Sequence, residues 1–213
     1  MRIGLAGVPG SGKSDLSQAL KDHFIKNENY KSVDIIDNYI DDIEKETDLA
    51  LGFFATYIGN IHVALGREYR ERISAENNDL TITCGTLFET SAYLAQKMEL
   101  EFSILSKEEE KYDWNLRVDA SMRMISCLYI DAVRYDKIYH LAPVSTVADA
   151  NINTLEKNLQ AAFNAFEIFP VVNLLAEGKD LQEITNNRVN TIVKDLESAN
   201  NVKKQDVQPE ESD

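Results

Sequence analysis

Cysteine is nearly missing from this chain: Cys84 and Cys127 are the only two in 213 residues. Two thiols cannot assemble a zinc cluster and nothing in the sequence points to secretion, so a reducing cytoplasm is the expected compartment. Long apolar runs are missing too. No stretch is long and apolar enough to span a bilayer, so no membrane partner is expected. The first strand pattern begins at Arg2, which leaves no room for a signal peptide. Positive charge is also scarce. Lys and Arg number 22 against 36 Asp and Glu, a net charge of -14. The segment Asn200 to Asp213 holds two lysines and four carboxylates and contributes -2, so the body carries -12. That balance opposes loose binding to a nucleic-acid backbone, although it leaves room for a local basic groove. Most of it reads as an acidic, solubilising surface. Repeats and interdomain linkers are absent as well. A chain of 213 residues with 44% hydrophobic content fits one domain with a sizeable core. We place that domain at residues 1–199 and a disordered acidic tail at 200–213.

What is present concentrates near the amino terminus. Gly7-Val8-Pro9-Gly10-Ser11-Gly12-Lys13-Ser14 fits G-x-x-x-x-G-K-[ST], the phosphate-binding loop (P-loop) of nucleoside-triphosphate enzymes. Its context agrees. Arg2 to Ala6 reads as a short buried strand, and Asp15 to Ile25 carries Leu16, Ala19, Leu20 and Phe24 at helical spacing. Strand, glycine loop and helix in succession are what the motif requires. Glycines permit backbone angles that turn consecutive N–H groups towards one anion, and the helix start adds its dipole. Gly7, Pro9, Gly10, Ser11 and Gly12 are thus expected to shape the cradle. Lys13 is expected to reach the β- and γ-phosphates of ATP, and the Ser14 hydroxyl to ligate Mg²⁺.

Four further strands are predicted at Val33–Asp37, Leu80–Cys84, Lys137–Leu141 and Phe169–Leu174, with helical patterns between them. Such alternation implies an α/β fold, a three-layer sandwich whose five-stranded parallel sheet is covered by helices on both faces. A long helix is predicted from Leu51 to Ser74. Its stripe Leu51, Phe54, Ile58, Ile61, Leu65 and Tyr69 is expected to face the core. The neighbouring stripe Tyr57, Asn60, Ala64, Arg67 and Glu71 is expected at the border with solvent. Further helices are predicted over Lys111–Arg134, Ile152–Ala165 and from Asp180, an N-cap, onwards.

Ligands bind outside the carboxyl ends of such strands. Asp37 ends the second strand on that edge, so it is the candidate general base and Mg²⁺ partner, with a helix cap as its plainer role. Asp79 begins the third strand and belongs at the opposite edge. The third strand ends in Cys84-Gly85-Thr86, where many P-loop enzymes place an Asp; Glu89 on the next helical turn could supply the carboxylate instead. Cationic groups around the transferring phosphoryl are chosen from few arginines: Arg67 and Arg117 as catalytic candidates, with Arg70, Arg123 and Arg188 beside them. Ala142 to Thr154, where small kinases often carry a lid, contains no Lys or Arg.

These pieces resemble P-loop kinases of the nucleoside and nucleotide monophosphate type, including thymidylate-kinase-like proteins, and more closely a small kinase family of bacteriophages. The resemblance lies in residues 7–14, in Asp48 to Gly52 with Ala55-Thr56-Tyr57, and in Ile82 to Thr90. It implies ATP and Mg²⁺ as cofactors and phosphorylation of a nucleoside, a deoxynucleotide or a modified pyrimidine. It extends to 5-hydroxymethyluracil within DNA as acceptor, to a homodimer, and to the host cell cytoplasm for a phage-encoded chain. Related kinases often have Asp-Arg after the third strand and lid arginines; this sequence has neither. An alternative is a P-loop ATPase or switch protein acting on a macromolecular partner.

Overall fold

The computed structural model of the chain describes residues 1–37, 57–104, 135–144, 150–165 and 171–205. The apolar segments form strands β1 (Arg2–Ala6), β2 (Val33–Ile36), β3 (Leu80–Cys84), β4 (Lys137–Leu141) and β5 (Val171–Leu174). All pairs are parallel, and the order across the sheet is β2-β3-β1-β4-β5. Parallel neighbours need crossovers, and here these carry the helices. The described helices are α1 (Lys13–Lys26), α2 (Tyr57–Asn77), α3 (Leu87–Ile104), α4 (Ala150–Ala165) and α5 (Leu181–Gln205).

Alternation along each strand divides the core in two. Ile3 and Leu5 of β1 and Ile82 of β3 join Leu16, Leu20 and Phe24 of α1 and Ile192 and Leu196 of α5. Ala6 and Ile138 turn the other way, towards Phe88 of α3 and Leu155, Leu159 and Phe163 of α4. Helices therefore cover both faces, and the three-layer α/β sandwich expected from the pattern is what forms. Asp180 caps α5 as predicted, its Oδ1 accepting the Glu183 N–H at 2.9 Å. That helix runs on to Gln205, so residues 200–205, assigned above to a disordered tail, are helical. Residues 206–213 lie outside the described ones, as does the helix predicted over Lys111–Arg134 apart from its neighbours in the chain.

The two stripes of α2 exchange roles. Leu65 and Tyr69, expected in the core, are 47% and 57% exposed. Ala64, Arg67 and Glu71, expected at the border, are buried. The cause is the surface that α2 covers. Arg2 of β1 and Thr81 of β3 present charge and hydroxyl on this face, so a polar stripe is the complementary one. Ser74 of α2 shares hydrogen bonds with Thr81 Oγ1 at 2.9 Å and Asp34 Oδ2 at 2.7 Å. Glu71 pairs with Arg2 and accepts the Tyr135 hydroxyl at 2.6 Å, and the Arg2 guanidinium lies 4.2 Å above the Tyr135 ring. Burial drives the Glu71 carboxyl above its usual range, against the pull of Arg2 and Arg67. Leu51 and Phe54 lie outside the described residues, and the side chains of Ile58 and Ile61 are not among those described.

Asp79 sits at the amino edge of the sheet, as anticipated. Its Oδ2 accepts the N–H groups of Lys31 at 2.9 Å and Ser32 at 3.2 Å, which closes the turn into β2. An open groove of about 240 Å³ lies at this same edge, between Met1, Arg2, Arg72, Ala75, Glu76 and Asp136, far from the phosphate loop at the other end of β1.

Candidate phosphate-binding site

The loop leaves β1 at the centre of the carboxyl edge. Leu5 is in register with Cys84 of β3, and Ala6 with His140 of β4. Strand order reverses about β1, the position where doubly wound sheets open a crevice for ligands. Gly10 and Gly12 adopt φ of 79° and 84°, left-handed angles that side chains resist. Gly12 is the N-cap of α1 and makes no side-chain bond to it. The first N–H groups of α1 are therefore presented at the loop with the positive end of the helix dipole. Pro9 and Gly10 form the exposed tip, while Ser11 is buried.

Lys13, the first residue of α1, folds back over the loop. Its ammonium donates to the Gly7 carbonyl, lies 3.2 Å from the Val8 carbonyl oxygen, and stands 3.7 Å from Glu89 Oε2. Glu89 Oε1 accepts the Gly7 N–H at 2.9 Å. The carboxylate proposed for the next helical turn is thus at the root of the loop. Ser14 Oγ donates to Asp37 Oδ1 at 3.3 Å. Asp37 directly follows β2, and the two residues expected to face Mg²⁺ come together across the edge.

Arg67 arrives from α2. Gly85 has φ of 76°, and a Cβ there would stand 2.8 Å from Arg67 Nη1 and 3.0 Å from Glu89 Oε2. Where the resembling kinases often carry an arginine on the strand end, this chain has no side chain, and a guanidinium from the neighbouring helix fills the space. Cys84 and Thr86 are buried rather than turned into an open site. Burial pushes the Cys84 thiol up to about 12, which removes it as a nucleophile. Arg117 and Arg123 lie outside the described residues, and Tyr57 opens α2 with its side chain not among those described.

No family model and no curated protein matches this sequence. Solved structures do match. Deoxyadenosine kinase from M. mycoides, with dCMP and dCDP bound, superimposes with a TM-score of 0.57 at 16% identity, covering 93% of this chain and 100% of that one. Thymidylate kinase from Ehrlichia chaffeensis gives a TM-score of 0.61 at 12% identity over 90% of this chain and 98% of that one. NadR protein, in complex with NAD and AMP-PNP, gives 0.60 at 13% identity over 91% of this chain but 48% of that one. The fold is that of the P-loop kinases.

Two features of this P-loop kinase fold had no clear sign in the sequence. Arg188, expected among the few cations near the transferring phosphoryl, is instead 3% exposed and clamps backbone. It donates to the carbonyls of Ser11 at 2.6 Å, Ala142 at 2.6 Å and Leu175 at 3.2 Å. One side chain thereby joins the loop to the ends of β4 and β5. The second feature is His140 of β4. Its Nε2 is 2.9 Å from Glu156 Oε1, and its Nδ1 is 3.0 Å from Asn173 Oδ1 and 3.1 Å from Gln160 Nε2.

Burial works against a charged His140, yet Glu156 and Asn173 outweigh it and raise the imidazole pKa above its usual 6.5. Burial likewise opposes the Glu156 carboxylate, and pairing with His140 outweighs that and lowers it below 4.5. A raised histidine contributes stability that is complete below its unfolded pKa and is lost as pH rises through its folded one. A lowered carboxyl contributes above its unfolded pKa and loses it as pH falls. The pair therefore stabilises most between those two values and progressively less in alkali. Expected: the melting-temperature gap between the wild type and His140→Gln is widest at about pH 5.5, between the ordinary ranges of a carboxyl and an imidazole, and narrows steadily towards about pH 9. A gap that stays flat over that range would count against a charged pair.

Proposed function

We propose that the chain is an ATP-dependent phosphotransferase that places the γ-phosphate on a nucleoside, deoxynucleotide or modified pyrimidine. The observation that carries this reading is the approach of Ser14 to Asp37 at 3.3 Å beside a P-loop whose lysine stands at its root. A phosphate-gripping loop alone binds triphosphate. A carboxylate on the next strand end adds what a transfer to an acceptor needs.

The donor set suits Mg²⁺, which takes hard oxygen ligands and keeps several waters. Ser14 and Asp37 would hold it, directly or through water, with the phosphates completing the shell. When bound, the ion neutralises charge on the β- and γ-phosphates. The chain's own groups do the rest. The N–H groups at the start of α1 orient the triphosphate. Lys13 swings from the Gly7 and Val8 carbonyls to the β,γ-bridge. Arg67 adds positive charge on the β3 side, in the space over Gly85. Asp37 orients the acceptor hydroxyl and receives its proton.

Solved proteins of this fold that are named for deoxyadenosine and thymidylate phosphorylation support a nucleoside or nucleotide acceptor. The test is γ-labelled ATP offered with nucleosides, deoxynucleotides and hydroxymethylpyrimidine DNA in turn. Label is expected on one small acceptor. Hydrolysis that proceeds at the same rate with every acceptor and with none would instead indicate the ATPase or switch reading.

A further inference from the structure

We infer that Glu89 is a positioning residue of the phosphate loop, one that holds Lys13 until a nucleotide arrives, competes with the nucleotide for it afterwards, and so sets how fast nucleotide leaves. This rests on the triphosphate-binding part of the reading above and goes beyond it, because no role there falls to Glu89.

The loop from Gly7 to Ser14 contains no acidic residue. The counter-charge for its lysine therefore comes from outside, from the first turn of α3. The two oxygens of Glu89 serve opposite ends of the loop. Oε1 accepts the N–H of Gly7 at 2.9 Å. Oε2 stands 3.7 Å from the ammonium of Lys13. Lys13 completes the closure by donating to the carbonyls of Gly7 and Val8. The two side chains are only 16% and 12% exposed, so solvent and salt screen the pair poorly.

The local fold fixes this carboxylate in place. Helix α3 starts where β3 ends, and the Glu89 N–H donates to the Thr86 carbonyl at 3.0 Å in its first turn. The preceding Leu87 and Phe88 are buried in the core. Gly85 leaves the space that Oε2 needs, since a Cβ there would stand 3.0 Å from it.

A nucleotide gains the charge of Lys13 only by taking it from Glu89. Apparent affinity falls with the fraction of molecules in which the lysine is held back. The exchange runs in reverse on release: the ammonium returns to Glu89 as the phosphates withdraw, which favours departure.

The experiment measures binding and dissociation of ADP and of a non-hydrolysable ATP analogue on the full chain, with Mg²⁺ and with EDTA. Glu89→Gln keeps an oxygen for the Gly7 N–H and gives up the charge that faces Lys13. Both nucleotides are expected to bind it about tenfold tighter in either medium, mostly through slower dissociation. The gain must pass through Lys13. In a Lys13→Gln background, Glu89→Gln should not improve ADP affinity by more than about twofold. A full gain without Lys13 would mean plain repulsion between Glu89 and phosphate, and overturns the inference. Affinity equal to or below that of the wild type overturns it too, and a loss seen only with Mg²⁺ would make Glu89 a partner of the metal instead. Each of these results leaves the kinase reading, tested by transfer of label, standing. A wild type that binds neither nucleotide removes the triphosphate reading on which both depend.

Discussion

Asp37→Asn is expected to lower kcat for phosphoryl transfer by about 10²–10⁴-fold, the usual worth of a positioned general base. Affinity for ATP should stay within about threefold, because the grip on the triphosphate comes from the loop, Lys13 and the start of α1 rather than from β2. The amide keeps the size of the carboxylate and can still accept from Ser14, whose hydroxyl stands 3.3 Å away. It cannot take a proton. A KM for ATP that rises steeply with kcat preserved would reassign Asp37 to metal binding alone, and wild-type turnover would sink its role altogether. Initial rates at saturating acceptor, with ATP varied, separate these results.

The second large effect concerns Arg188→Ala. Three carbonyls, those of Ser11, Ala142 and Leu175, lose their donor at once. A buried acceptor left unpaired costs ~1–3 kcal/mol, and partial relaxation makes ~3–5 kcal/mol the reasonable total. In a chain of this size that corresponds to a drop of roughly 10 °C in the melting temperature. The loss should also reach the ligand. Ser11 lies within the P-loop, so its carbonyl no longer fixes the loop's shape, and affinity for ATP should fall about tenfold, or ~1.4 kcal/mol. Arg188→Lys should recover little, since an ammonium cannot reproduce a planar fork aimed at three separate oxygens. A melting temperature within about 2 °C of the wild type would falsify the clamp.

How much of this could be read without coordinates depends on which partner a residue uses. The P-loop was legible because its glycines answer to backbone angles, and Gly10 and Gly12 take the left-handed values that the motif demands. The strands were legible because runs such as Leu80–Cys84 are buried along their whole length. Asp37 followed from the edge rule alone. The stripes of α2 were misread because helical periodicity locates an apolar face but does not reveal what the sheet offers beneath it. Here that surface includes Arg2 and Thr81, so Glu71 and Ser74 turn inward with Arg67, and Leu65, Tyr69 and Ile73 are left exposed. Arg188 was invisible for a different reason. Its partners are carbonyls, which every residue has, so no sequence signal marks them. Glu89 stood between these cases: its carboxylate was anticipated, its bond to the Gly7 N–H was not.

The strand order has a consequence for how the molecule is made. The strand that launches the loop is the first to be synthesised, yet Ile3 pairs with Ile82 on one side and Lys137 on the other. Val33, on the next strand to appear, also waits for Leu80. The first strand cannot pair with its immediate successor, because β3 lies between them in the sheet. During synthesis the amino-terminal third therefore has only helical turns available to it, and its apolar strands remain open until distant sequence emerges. Sheets built from such remote pairings fold slowly and expose sticky edges meanwhile. The nucleotide cradle, written first in the chain, is one of the last parts that can take shape.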